Sequence, residues 1–186
     1  MALDGVYLNF LVSEVNELLA GAKVDKIHQP SKNELVFIMR TKGGMHKLYF
    51  TADANSPRFA VVEKTTENPQ NPPMLCMLFR KRLIGATLMG VEQMGLDRVA
   101  FFNFDATNEI GDRVKLTLAV EIMAQHSNII LINEENKVVD AIKRVDAEKS
   151  SYRLVLPGAI YKLPPEQNKL DRRKEKESVI ADLIFN

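Results

Sequence analysis

The sequence predicts an α+β domain built mainly of antiparallel sheet, with one helix at its N-terminus and one in its interior. Leu8, Leu11, Val12, Val15, Leu18 and Leu19 recur at helical spacing from about Asp4 to Ala20, a single apolar stripe that Gly21 ends. Val114, Leu116, Leu118, Val120 and Ile122 alternate with Arg113, Lys115, Thr117, Ala119 and Glu121, the period of two that marks a half-buried strand. From Ala86 onward such strand patterns follow one another across short turns, so an antiparallel meander is the economical topology.

Each element has a local reason. Asp4 is placed to cap the first helix, where its carboxylate meets unpaired backbone N–H groups. Lys23 to Gln29 and Glu34 to Arg40 are strand candidates, and Lys42-Gly43-Gly44 turns the second back into His46 to Thr51, a hairpin. Phe59 to Glu63 is a further strand. Pro69, Pro72 and Pro73 then punctuate a connection between layers. Pro73 at the start and Gly85 past the end bracket a second helix, Met74 to Ile84. Strands are expected at Ala86 to Met94, Leu96 to Phe104, Asp112 to Met123, Asn128 to Ile132 and Lys137 to Val145. Leu156-Pro157-Gly158 and Leu163-Pro164-Pro165 read as extended covering segments. Residues 171–186 carry Val179, Ile180, Leu183 and Ile184 at helical spacing, so residues 1–170 form one domain and 171–186 open a helical module that the chain leaves unfinished.

The chain has 186 residues, 46% apolar and 26% charged, with a formal net charge of +1. Bulk charge therefore gives no argument for nucleic acid, and such binding needs a local patch. The single cysteine, Cys76, excludes an internal disulfide and fits a reducing compartment; among Met74, Leu75, Met77 and Leu78 it reads as a packed apolar residue. No leader pattern and no apolar run of membrane-spanning length are visible, which makes the cytoplasm the expected location.

A polar knot, Glu121 to Asn128, lies between two apolar runs at what must be a sheet end. Glu121 shares a strand face with Arg113 and Lys115 and is expected to pair with one of them, or to serve a site. His126 reads as a turn residue; with Ser127 it is no catalytic pair, because neighbours in sequence rarely face each other. His28, His46 and His126 have no metal-ligand spacing, and no cofactor motif is present. Arg80, Lys81 and Arg82 either complement the negative end of the second helix or face phosphate. Asp97-Arg98 is either a turn cap beside a solvated cation or an acid fixing an arginine fork. The Phe101-Phe102 pair makes a poor stacking platform, since one ring belongs to the core.

Several segments in one order carry a resemblance: Met1 to Gly5, Asp25 to Pro30, Pro72 to Lys81, Asp97-Arg98-Val99, Glu121-Ile122-Met123 with His126-Ser127-Asn128, Asp140 to Val145 and Leu156-Pro157-Gly158. Together they resemble the N-terminal domain of the NFACT family, whose bacterial members are labelled fibronectin-binding protein A or RqcH. The resemblance implies a fold similar to the N-terminal domain of formamidopyrimidine-DNA glycosylases, with a helix-hairpin-helix module following. It implies a non-catalytic role in ribosome-associated quality control: binding the large ribosomal subunit with its stranded peptidyl-tRNA and recruiting tRNA, alanyl-tRNA in bacteria, for C-terminal tailing. Asp97 and Arg98 match the family's tRNA-engaging pair; Arg80 and Lys81 are expected phosphate contacts, and Glu121, His126, Ser127 and Asn128 support them. The family label also offers a fibronectin-binding adhesin as an alternative, and a glycosylase-like nuclease as a weaker one. Against the latter, glycosylases use an N-terminal proline followed by glutamate, and this chain begins Met1-Ala2-Leu3.

Two positions depart from the family pattern. Ala124 and Gln125 stand where relatives carry glycine and a basic residue, which predicts a missing positive charge at the knot. Arg82 stands where a histidine is usual.

Overall fold

The computed structural model describes residues 5–94 and 98–165. Two helices, α1 (Gly5–Leu19) and α2 (Met74–Leu83), accompany nine strands: β1 (Lys23–His28), β2 (Glu34–Thr41), β3 (Gly44–Thr51), β4 (Arg58–Val62), β5 (Thr87–Gln93), β6 (Val99–Thr107), β7 (Arg113–Glu121), β8 (Asn128–Ile132) and β9 (Val138–Ala141). All nine join one antiparallel sheet in the order β4-β3-β2-β1-β5-β6-β7-β8-β9. The expected α+β class and meander are found. Asp4, the Gly95 turn, Asp97 and residues 171–186 lie outside the described residues.

The sheet is joined narrowly at its middle. β1 meets β5 through the single register pair Lys23↔Thr87, flanked by bonds such as Val24 N–H to Ala86 O at 2.9 Å. So slender a joint lets the two halves fold over one another. Phe102 of β6 lies 5.1 Å, centroid to centroid, from both Phe50 of β3 and Phe59 of β4. Phe37 of β2 meets Phe104 of β6 at 6.1 Å. These edge-on and tilted contacts make one core of both halves.

α1 turns Leu8, Leu11, Val12, Val15 and Leu19 into this core, the faces its spacing predicts apart from Leu18, which is exposed. Asn16 clasps β5 from the helix: its Nδ2 donates to Val91 O and Val91 N–H donates to its Oδ1, both at 2.7 Å. A Cβ at Gly90 would sit 3.4 Å from Asn16 Oδ1, in van der Waals contact with the clasp. α2 begins after Pro73 and ends where Gly85 turns at φ +88°. Cys76 is buried, its Sγ 3.5 Å from Ile27 O, and burial pushes the thiol up.

A second, smaller core lies on the outer face of β7, β8 and β9, where Ala119, Ile130, Ile132, Val138 and Ala141 pack under Val155 and Tyr161. The covering chain is tied by bridges Val145↔Val155 and Lys137↔Ile160. With Ile129 and Leu131 in the main core, every residue of β8 is buried, as its continuous apolar run required.

Candidate nucleic-acid interface

The polar knot forms because two strands end in register. The β6–β7 ladder reaches Val99↔Glu121 and continues with Ile122 N–H donating to Arg98 O at 2.9 Å. The chain then makes a 3-10 turn, Ala124–His126, and re-enters the sheet at Asn128, opposite Glu121. Ser127 closes the turn, its Oγ accepting Met123 N–H at 2.8 Å. The Asn128 amide grips the chain beyond β9: Nδ2 donates to Lys143 O at 2.8 Å, and Lys143 N–H donates to Oδ1 at 3.0 Å. Glu121, Ser127 and Asn128 are all buried. They build the sheet end from within; His126 alone of the four is exposed.

Glu121 does not pair with Arg113 or Lys115. Its carboxylate receives both terminal nitrogens of Arg153, one at 2.9 Å, and the hydroxyl of Tyr161 at 2.7 Å. Arg113 pairs with Asp105 instead. The strand face that starts in solvent at Arg113 passes under the covering chain before Glu121, so residues on one face have different surroundings.

A cleft of about 640 Å³ opens beside the knot, between the Lys32–Asn33 turn, Met123 to Asn128, Ile142 to Val145, and Pro164-Pro165. Lys32, Lys143, Arg144, Lys149 and Arg153 line it, and no acidic residue does. Asp140 holds Arg144 in a two-point pair at 3.0 and 2.8 Å. Burial holds the Lys143 ammonium below its usual range; Asp53 opposes that shift and Lys32 adds to it. Lys143 Nζ lies 3.4 Å from Gln125 O, which brings a cation from the chain beyond β9 to the knot.

The residues picked out by sequence do not form one patch. Arg98 stands at the knot, opposite Ile122 and one residue from the cleft-lining Met123; Asp97 lies outside the described residues. Arg80 clips α2 to the end of β1, its Nε donating to Ile27 O at 2.7 Å and a terminal nitrogen lying 3.5 Å from His28 Nδ1. Burial, then the charge of Arg80, keeps the pKa of His28 below its usual value. From His28 the chain turns directly to Lys32 in the cleft. Lys81 is elsewhere: it pairs at 2.5 Å with Glu109, in the turn after β6. The two ends of β6 are about 26 Å apart at the usual rise per residue. Around Lys81 and Arg82 a second cleft also carries Glu109, Glu134 and Glu135, so its charges offset.

Sequence reasoning passed over Lys32, Lys143, Arg144, Lys149 and Arg153. The signal lay in Ile142-Lys143-Arg144-Val145, a cationic pair directly after a buried strand. No group of three or more metal-binding side chains occurs among the described residues, and no described helix is long and apolar enough to cross a membrane.

The family of NFACT N-terminal and middle domains matches residues 4–185. Over 187 residues the chain is 42% identical to the Rqc2 homolog RqcH of Bacillus subtilis (strain 168), covering 100% of this chain and 33% of that protein. It is 38% identical over 185 residues to the Rqc2 homolog RqcH of Streptococcus suis (strain 05ZYH33), covering 99% of this chain and 34% of that protein. The chain thus spans about a third of the length of these curated relatives. Among solved structures, the N-terminal domain of fibronectin-binding protein PavA from Streptococcus pneumoniae aligns with a TM-score of 0.84 at 34% identity, over 97% of this chain and 72% of that one. The N-terminal part of the fibronectin/fibrinogen-binding protein FBPS from Streptococcus suis aligns at 0.85 and 36% identity, over 97% and 69%. A family match over almost the whole length, with sheet, helices and knot in the expected order, means that this chain belongs to the NFACT family.

Proposed function

We propose that this chain is a non-catalytic, tRNA- and ribosome-engaging domain of a ribosome-associated quality control factor. The whole protein would bind large ribosomal subunits carrying stranded peptidyl-tRNA and recruit tRNA, alanyl-tRNA by resemblance, for C-terminal tailing in the cytoplasm. Relatives named Rqc2 homolog RqcH support this reading. The observation that carries it is the position of Arg98, held by Ile122 at the sheet end that the cationic cleft borders. In this reading Asp97 steadies the Arg98 guanidinium, Arg80 orders the β1 end, and the buried knot fixes the backbone beneath. A sheet folded over itself and accompanied by two helices fits the proposed likeness to the glycosylase N-terminal domain.

The test is tRNA affinity of the full-length protein at low salt. Arg98→Ala should weaken binding roughly tenfold, the loss of one arginine contact to nucleic acid. Unchanged affinity would remove the assignment.

A second reading, capture of fibronectin at the cell surface, is favoured by the names of the two solved relatives. It requires the protein outside the cell, which biotinylation of intact cells reads directly.

A further inference from the structure

We propose that the cleft formed by Lys32, Lys143, Arg144 and Lys149 is a phosphate clamp that grips the backbone of an RNA strand without reading its bases, separate from the contact made by Arg98. The inference rests on the tRNA-engaging reading above and deepens it.

Charge composition makes the first argument. The chain as a whole is nearly neutral, at +1. Yet five cations and no acid line this cleft, whereas the cleft around Lys81 and Arg82 balances its cations with three glutamates. The acids near the cationic cleft are committed to alignment. Glu121 takes Arg153, which leaves that guanidinium structural, and Asp140, which does not line the cleft, fixes Arg144. Asp53 acts on Lys143 from outside the lining.

Preorganisation makes the second. The Asn128 amide fixes the backbone of Lys143 at both N–H and C=O. Lys149, though exposed, is tied to the cleft rim, its Nζ donating to Arg144 O at 3.2 Å. Lys143 sits partly desolvated with its ammonium 3.4 Å from the Gln125 carbonyl. An anion entering there meets one cation, Lys143, that has already lost part of its water, while Lys32, Arg144 and Lys149 stay exposed around it, so the cost of ordering is reduced at Lys143.

Lining chemistry makes the third. Met123, Ile142, Val145, Pro164 and Pro165 supply apolar walls, and no Phe, Tyr or Trp lines the cleft. The one ring in the lining is the small imidazole of His126, set among five cations, so bases find little platform and contact falls mainly to phosphates.

The test compares full-length wild type with the triple variant Lys32→Gln/Lys143→Gln/Lys149→Gln, with Arg98→Ala, and with Arg113→Gln, which removes one charge at the far end of β7. Affinities for a labelled tRNA and a labelled poly(U) strand are measured across monovalent salt. Each lost phosphate contact removes about 0.7 to 0.9 from the slope of log affinity against log salt, so the triple variant should lose about two units. At about 0.1 M salt that is a loss of roughly 100-fold, equal for both RNAs. Arg113→Gln should behave as wild type. If Arg98→Ala weakens tRNA binding while the triple variant keeps wild-type affinity and slope, the clamp is overturned and the tRNA reading stands. If neither change matters, both fall. A triple variant that binds weakly with an unchanged slope also overturns the clamp, as does a loss confined to one of the two RNAs. Thermal unfolding checks that the triple variant is folded; should it melt early, Lys149→Gln, whose side chain is exposed, carries the slope measurement alone, with an expected loss of about 0.7 to 0.9.

Discussion

Ala124 is held at φ +50°, in the left-handed region, by the 3-10 turn that reverses the chain between β7 and β8. A Cβ in that region meets the following carbonyl, at a cost of about 1 to 2 kcal/mol. The side chain is exposed and packs nothing that would be lost. Ala124→Gly should therefore raise stability by about 0.5 to 1 kcal/mol, the relief of strain less the extra freedom glycine gives the unfolded chain. A urea titration checks this: the midpoint should rise with an unchanged slope, and a lower midpoint would show that the turn is unstrained. Glycine at this position would meet the same backbone demand without the cost. Asn136, the other non-glycine residue at positive φ among those described, is of a type that tolerates it.

At the scale of the element, the covering chain of residues 152–161 is locked to β7 by one buried ion pair. Arg153 retains 10% of its side-chain exposure and Glu121 none, and Tyr161 completes the carboxylate's partners. Glu121→Gln leaves a buried guanidinium without its counter-charge, which costs about 3 to 5 kcal/mol. The double variant Glu121→Gln/Arg153→Met should lose clearly less than the two single variants together, because the second change removes the orphaned charge. Denaturation of all four proteins reads the coupling; strict additivity would mean that the pair contributes nothing jointly. This contact also marks where sequence reasoning stops. The hairpin at Gly43-Gly44 and the helix between Pro73 and Gly85 were legible because turn and cap chemistry is local. The partner of Glu121 was not, since alternation along β7 names neighbours on the strand while the true partner is 32 residues away on a segment without strand pattern. The cleft was hidden for the same reason: Lys32 and Lys143 meet only after the sheet has folded.

The whole molecule hinges on that folding over. Local pattern named the strands and the meander, but nothing in it reveals that the β1–β5 joint is a single register pair, or that Phe102 would face Phe50 and Phe59 across the core. Such contacts pack rings from two halves that have no separate inner cores, so the halves are expected to unfold together. Phe102→Ala removes a fully buried ring shared by both and should cost about 3 to 5 kcal/mol. The informative reading is native-state amide exchange in β2 and β8, one strand from each half. If the core is common property, protection in both strands falls by the same free energy in the variant, because both exchange through the same global opening. Were β8 to keep its protection while β2 lost it, the second core under Val155 and Tyr161 would have to hold β7, β8 and β9 together on its own, and the cleft could then persist on a half-unfolded domain. Equal loss ties the cleft to the intact fold: Lys32 comes from the first half and Lys143 from the second, so no partly open state would retain the clamp.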